Sequence, residues 1–167
     1  KQQEITAQAV KHTNKIVYEK QMKSLNCSIN AVHSMLQIVD ETTGIYAGLP
    51  WFFQFWSRDE AISLQALFLS HGKNFAKEII MRQLDMIDSR GFSFAQYSKN
   101  NITNITSADS LGWLCKRIHQ NINEFNQDEK EIIYGKLKTA IDSLLKNATM
   151  DRLALNDAKT TWMDTDF

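Results

Sequence analysis

The stretch GLPWFFQFWSRDEAISLQALF, residues 48–68, contains the chain's only proline and five aromatic residues in the six positions 51–56. A Ser-x-x-Glu pair, Ser57 and Glu60, then precedes an apolar run that extends to Phe68. This spacing is typical of a capping box, in which two side chains bond the free backbone N–H groups at a helix start. The sequence therefore predicts an aromatic loop that leads into a helix over 57–68, ended near Gly72.

Apolar residues recur at helical spacing in most of the remaining chain. One such face runs through Leu25, Ile29, Val32, Leu36 and Val39, and similar series run through 75–87, 111–122 and 133–145. The segment 5–20 is helical by composition. Asn126 opens the last series, and Asp128 and Glu129 in its first turn complement the helix dipole. Six glycines and one proline leave few turns. We therefore predict an all-α fold, with long functional loops over 40–56, 89–106 and 148–167.

Size and charge exclude several classes of protein. The 167 residues suit one domain, 1–167, and carry 19 basic and 19 acidic side chains. With a net charge of zero, the chain has no overall positive potential to attract nucleic acid or an anionic membrane surface. No apolar run reaches the length of a membrane span. We expect neither nucleic acid nor membrane as a partner. The lack of a signal-peptide pattern predicts a cytoplasmic location.

The cysteines and histidines indicate neither a disulfide framework nor a metal site. Cys27 and Cys115 lie on apolar helix faces and are expected to be buried. The four histidines are scattered and form no i,i+4 pair: His12, His33, His71 and His119. We expect no metal and no cofactor.

Arg58 and Asp59 are the first candidates for a functional site. In a helix that begins at Ser57, both side chains lie in the first turn and offer hydrogen-bond donors and acceptors in fixed relation. With flat aromatic faces nearby, this combination suits a neutral ligand rich in hydroxyl groups, such as a sugar. The alternative is a capping ion pair beside an aromatic plug under a helix bundle.

Two later loops also hold carboxylates near tryptophans. Asp109 precedes a predicted helix, where it can face a ligand or simply cap the helix. Asp164 follows Trp162 closely, and a dry aromatic pocket can turn such a carboxyl into a proton donor.

In order along the chain, these motifs resemble the glucosidase domain of glycogen-debranching enzymes. The matching residues are Gly48-x-Pro50-Trp51-Phe52, Trp56-x-Arg58-Asp59, Ser107-Ala108-Asp109 with Trp113, and Thr161-Trp162-Met163-Asp164. The resemblance implies an (α/α)6 barrel, of which this chain would supply the N-terminal half. The chain departs from the family pattern at Ser57, Gln54-Phe55, Ser110 and Gly112, which bears on substrate preference more than on fold.

The resemblance also implies roles for seven of these residues. Asp164 would be the general acid that protonates the glycosidic oxygen, and no cofactor would be needed. Such enzymes invert the anomeric centre and need a second carboxylate as base, about 6.5–9.5 Å away, which in this family lies in the second half of the barrel. The residues implied to bind the terminal glucose are Trp51, Trp56, Arg58, Asp59, Asp109 and Trp162.

We therefore expect a fragment of an inverting amylo-α-1,6-glucosidase that acts on α-glucan branch points and is inactive alone, because it lacks the base. Exposed apolar faces are expected to drive association with the missing half or with a second copy. Two alternatives stay open. One is a non-catalytic helical binding module whose aromatic residues form a core, and the other is a trehalase- or glucoamylase-like hydrolase.

Overall fold

The computed structural model describes the backbone of residues 2–97, 105–147, 149–150 and 153–154, and side chains of these ranges between 18 and 147. Within them, five α-helices alternate with short strands. The helices are α1 (Gln2–Met35), α2 (Ser57–Phe68), α3 (Lys73–Asp85), α4 (Ser110–Gln120) and α5 (Gln127–Asn147), with a 3₁₀ turn at Ile122–Glu124. The strands are β1 (Leu36–Val39), β2 (Thr42–Gly48), β3 (Phe52–Trp56), β4 (Ser93–Phe94), β5 (Gln96–Tyr97), β6 (Thr106–Ser107), β7 (Thr149–Met150) and β8 (Leu153–Ala154).

The strands show that the predicted fold class, all-α as part of an (α/α)6 barrel, is wrong. Strands β1, β2, β3 and β5 form one antiparallel sheet in that order, while β4 pairs with β6 and β7 with β8. The sheet occupies most of the predicted loop 40–56, whose β-branched and aromatic residues favour extended backbone. Helical spacing also misplaced Leu36 and Val39, which lie in β1.

A tight hairpin joins β1 to β2. Its two turn residues, Asp40 and Glu41, both have positive φ, 49° and 65°, which is the turn geometry that fits the twist of paired strands. Asn-Gly is the usual sequence for this turn, so Asp-Glu gives little signal in the sequence. In β2, a Cβ at Gly44 would lie 2.5 Å from the ring of Phe55, and glycine therefore lets β3 pack closely.

Helix α2 lies at the centre of the core. It packs against α1, α3, α4 and β2, and its Leu64 and Leu67 are fully buried. Ile79 and Ile80 of α3 and Leu114 of α4 are buried against them. Each such side chain contributes about 1.5–3 kcal/mol by leaving water. The helices predicted over 57–68, 75–88, 111–122 and 126–145 are confirmed, whereas 5–20 and the start of 25–39 form one continuous helix, α1.

Capping contacts form at the start of α5, where none were predicted, and are missing at the start of α2, where a capping box was predicted. Asn126 Oδ1 accepts a hydrogen bond from the Glu129 amide at 2.8 Å, and Glu129 Oε2 accepts one from the Asn126 amide at 2.7 Å. The capping box predicted for Ser57 and Glu60 is wrong. Ser57 is the first residue of α2, and its side chain makes no capping bond. Glu60 points into the core.

Glu60 is a fully buried carboxylate with three protein donors. Its Oε1 accepts hydrogen bonds from the Ile45 amide at 3.0 Å and from Arg82 Nη2 at 2.6 Å, and its Oε2 accepts one from Gln83 Nε2 at 3.0 Å. Arg82 is itself only 13% exposed. A buried charge is tolerated only when it is paired and hydrogen-bonded. Glu60 therefore ties β2, α2 and α3 together.

The cysteines and histidines occupy unremarkable positions. Cys27 is exposed, so its predicted burial is wrong, while Cys115 is half-buried and burial raises the pKa of its thiol. His33 Nε2 lies 2.7 Å from Ser70 Oγ. None of the helices in the described part of the chain is both long and apolar enough to span a bilayer.

Replacing Glu60 by glutamine is expected to destabilise the fold by about 3–5 kcal/mol, since the charge of Arg82 is then left buried without its partner. Urea unfolding followed by circular dichroism measures this loss. Asp142→Asn is the matched control, because Asp142 pairs with Lys138 on the exposed face of α5 and its loss is expected to change stability little. Equal midpoints for the two variants would contradict the role of Glu60.

Candidate functional site

The first turn of α2 and the residue before α4 form one polar site. Strand β3 ends at Trp56, so Arg58 and Asp59 follow directly in the first turn of α2. Asp109 immediately precedes Ser110, the first residue of α4. Because α2 and α4 pack against each other, these residues meet although 51 positions separate Arg58 from Asp109.

An ion pair joins the two helix starts. Arg58 Nε donates to Asp109 Oδ1 at 2.8 Å, and the two side chains are 15% and 34% exposed. A charge-assisted bond of this length fixes both groups in direction. Asp109 Oδ1 accepts a bond from Ser107 as well as from Arg58, so two groups hold this carboxylate in place.

Three buried serines form a chain of hydrogen bonds that ends at Asp109. Ser107 Oγ donates to Asp109 Oδ1 at 3.0 Å, and Ser110 Oγ donates to Ser107 Oγ at 2.6 Å. Ser57 Oγ in turn donates to Ser110 Oγ at 2.9 Å. Each hydroxyl has one proton to donate, so the chain runs in one direction, towards the carboxylate. We call Ser57, Ser110 and Ser107 the serine relay.

The serine relay was missed in the sequence, although two of its members stood out there. Ser57 and Ser110 are both positions at which the chain departs from the pattern of the resembling family. The structure shows that these two departures contact each other, at the first residues of α2 and α4. Small polar residues at two helix starts were the available signal, but their pairing is a tertiary contact.

Asp59 lies beside the ion pair and is half-buried. Burial raises the pKa of its carboxyl above the ordinary value of 3.8, and the nearby charge of Asp109 adds to this. A backbone hydrogen bond and the charge of Arg58 act in the opposite direction but are smaller. The site thus holds a cation and two carboxylates in different environments, an arrangement often found where ligands or substrates bind.

The predicted aromatic walls occupy two different settings. Trp56 is half-buried beside the start of α2, and its Nε1 is buried with no hydrogen-bond partner among the described residues. Trp51 lies in the turn between β2 and β3 and is 73% exposed. Trp162 and Asp164 fall outside the described residues, so their predicted roles stay predictions. Within the described ranges, no group of three His, Cys, Asp or Glu side chains is placed to hold a metal ion.

Removing the central hydroxyl of the serine relay, in Ser110→Ala, is expected to destabilise the chain by about 1–3 kcal/mol. In this buried setting Ser107 loses its donor, and Ser57 keeps only the longer bond to the Ala95 carbonyl, at 3.4 Å. Thermal unfolding measures this. Ser34→Ala serves as control, because exposed Ser34 bonds only the carbonyl of Ala31. Equal melting temperatures for the two variants would show that the relay is not a connected unit.

Asp59→Asn is expected to stabilise the chain at pH 7. Since the pKa of Asp59 is raised in the fold, the unfolded state binds fewer protons than the folded state between the two pKa values. Stability therefore falls as pH rises through this window. The gain in melting temperature should vanish below about pH 3.8, where both states are protonated.

Asp109→Asn is the control for that experiment. It removes the charge that pairs with Arg58, so it is expected to lower the melting temperature at pH 7. A melting temperature at pH 7 that falls for Asp59→Asn as well would contradict the burial effect at Asp59.

Comparison with known proteins agrees with the family that the motifs resemble. The profile of one protein family, described as amylo-alpha-1,6-glucosidase, matches residues 12–167. Neither curated proteins nor solved structures gave a match. A match over nearly the whole chain shows that it belongs to the amylo-alpha-1,6-glucosidase family, the glycosidase domain of glycogen-debranching enzymes.

Proposed function

We propose that this chain binds the terminal glucose of an α-glucan branch at the site formed by Arg58, Asp59 and Asp109, as part of an inverting α-1,6-glucosidase. The observation that carries the proposal is the 2.8 Å ion pair between Arg58 and Asp109, which unites two separate family motifs at one place. Membership of a glycosidase family supports a carbohydrate ligand.

The chemistry of the site suits sugar hydroxyl groups, each of which can donate and accept a hydrogen bond. Asp109 is held through Oδ1 by Arg58 and Ser107, and a carboxylate has a second oxygen that can accept a bond from a sugar hydroxyl. The guanidinium of Arg58 lies next to this carboxylate, so a donor group and an acceptor group stand side by side. Asp59 is close enough to feel the charges of both groups and adds a second carboxylate to the site.

In this proposal hydrolysis needs two further carboxyl groups. Asp164 is the proposed general acid and Trp162 a proposed contact of the glucose, and a base across the sugar ring would activate water about 6.5–9.5 Å away. Trp51 and Trp56 are proposed as walls of the glucose pocket. The inactivity of the isolated chain, its place as part of a larger catalytic domain and its cytoplasmic location stay predictions.

Exposed aromatic residues argue against the alternative of a binding module with an aromatic core. Trp51, Phe52 and Phe53 are each more than half exposed, so this part of the motif is not a plug in the core. Leu49 in the same turn is also exposed. The same apolar surface supports the proposed association with a second copy or with another part of the enzyme.

Arg58→Ala is expected to weaken glucose and maltose binding by the chain at least about tenfold, because a charged hydrogen-bond donor contributes about 1.5–3 kcal/mol. Titration followed by ¹H–¹⁵N NMR measures these affinities. Arg90→Ala is the control, since Arg90 lies in the turn after α3, paired with Asp88. Unchanged affinity in Arg58→Ala would contradict the proposed site, and glucose release from a branched limit dextrin by the chain alone would contradict its inactivity.

A further inference from the structure

A second cavity opens on the sheet, away from the residues of the proposed glucose site. It has a volume of about 130 Å³ and is formed by β2, β3, β5 and the β1–β2 turn. Neither Arg58, Asp59 nor Asp109 lines it. A cavity of roughly this size holds one six-membered ring. The volume therefore matches that of a single ring.

The apolar lining of this cavity comes from four aromatic rings. Tyr46 stacks on Phe55 with ring centroids 5.5 Å apart and meets Phe53 edge-on at 5.5 Å. Tyr97, which pairs with Phe55 across β3 and β5, completes the set. Phe53 is 53% exposed, so one ring face remains open to a ligand. Flat apolar faces at different angles suit the C–H faces of a sugar ring.

Polar groups at the rim provide the hydrogen bonds that such a ring requires. Thr42 Oγ1 and the Tyr97 hydroxyl lie 3.5 Å apart, at the long limit of a hydrogen bond, so both keep capacity for another partner. Gln54 adds an amide and Asp40 a carboxylate to the lining. Donors and acceptors are thus both present, as hydroxyl groups require.

Charge favours a neutral ligand over an anion. None of the lining residues is cationic. Arg82 packs on the rings of Tyr97 and Phe55 with its guanidinium carbon 4.7 and 5.6 Å from their centroids, and buried Glu60 neutralises it. Phosphorylated or carboxylated ligands therefore find no counter-charge in the cavity.

We propose that this cavity is a second subsite that holds one pyranose ring of the same α-glucan, several units away from the terminal glucose. Phe53 stacks on the ring, and Thr42 and Tyr97 bond its hydroxyl groups. Phe53 precedes Arg58 by five residues, so the two backbone positions are at most about 18 Å apart, and one oligosaccharide can reach both. The assignment rests on the proposed function, because it takes the same glucan as its ligand.

The test compares two neighbouring phenylalanines in the full 167-residue chain. Phe52 and Phe53 are both 53% exposed in β3, but only Phe53 lines the cavity. Phe53→Ala is expected to weaken maltoheptaose binding about fivefold or more, as measured by calorimetry, and to leave glucose binding unchanged. Phe52→Ala should leave both affinities as in the wild type. Thr42→Val, which keeps the side-chain shape, is expected to weaken maltoheptaose binding alone.

The outcomes separate the two sites. Loss of glucose binding in Arg58→Ala, together with equal maltoheptaose affinity in the wild type, Phe53→Ala and Thr42→Val, would overturn the subsite and keep the proposed function. A Phe53-dependent affinity that Arg58→Ala leaves unchanged would keep the subsite and overturn the proposed glucose site. Absence of any carbohydrate binding would overturn both, and binding of tetramethylammonium in place of sugars would assign the aromatic cavity to cations.

Discussion

The buried carboxylate of Glu60 is the contact on which the arrangement of sheet and helices depends. It receives hydrogen bonds from the backbone of β2 and from Arg82 and Gln83 of α3. Gln83 Nε2 also contacts the carbonyl of Ser57 at 3.1 Å, so the same network fixes the first residue of α2. An unpaired buried charge is costly. The relative placement of β2, α2 and α3 is therefore restricted to one in which all hydrogen bonds of this network are made.

The geometry of the polar site depends on this arrangement of sheet and helices. Once the start of α2 is fixed, its packing against α4 brings Arg58 to Asp109, and the serine relay links the two helix starts behind them. Helix N-termini favour carboxylates, whereas burial raises the pKa of Asp59. The site thus contains a carboxyl group whose charged form is disfavoured by burial. Arg82 extends the same network to the rings of the aromatic cavity.

Much of the site was predictable because its residues belong to motifs with distinctive side chains. Arg58, Asp59 and Asp109 were all identified, and the structure places them together. The sheet was missed, since Leu36 and Val39 continue the spacing of a helix and the Asp40–Glu41 turn lacks the usual Asn-Gly. The capping role expected for Glu60 was wrong, because local spacing contains no information about a partner such as Arg82, 22 positions away. Trp162 and Asp164 lie outside the described residues.

The family, most of the helices and the residue types of the candidate site could be read from the amino-acid sequence. These follow from periodicity and from side-chain types within short stretches, which are local properties. The burial of Glu60, the contact between Ser57 and Ser110, and the cavity shared by Phe53 and Tyr97 appear only in the folded chain. Each of these contacts joins residues that are far apart in the sequence. They form only when the packed core brings the surfaces that carry them together.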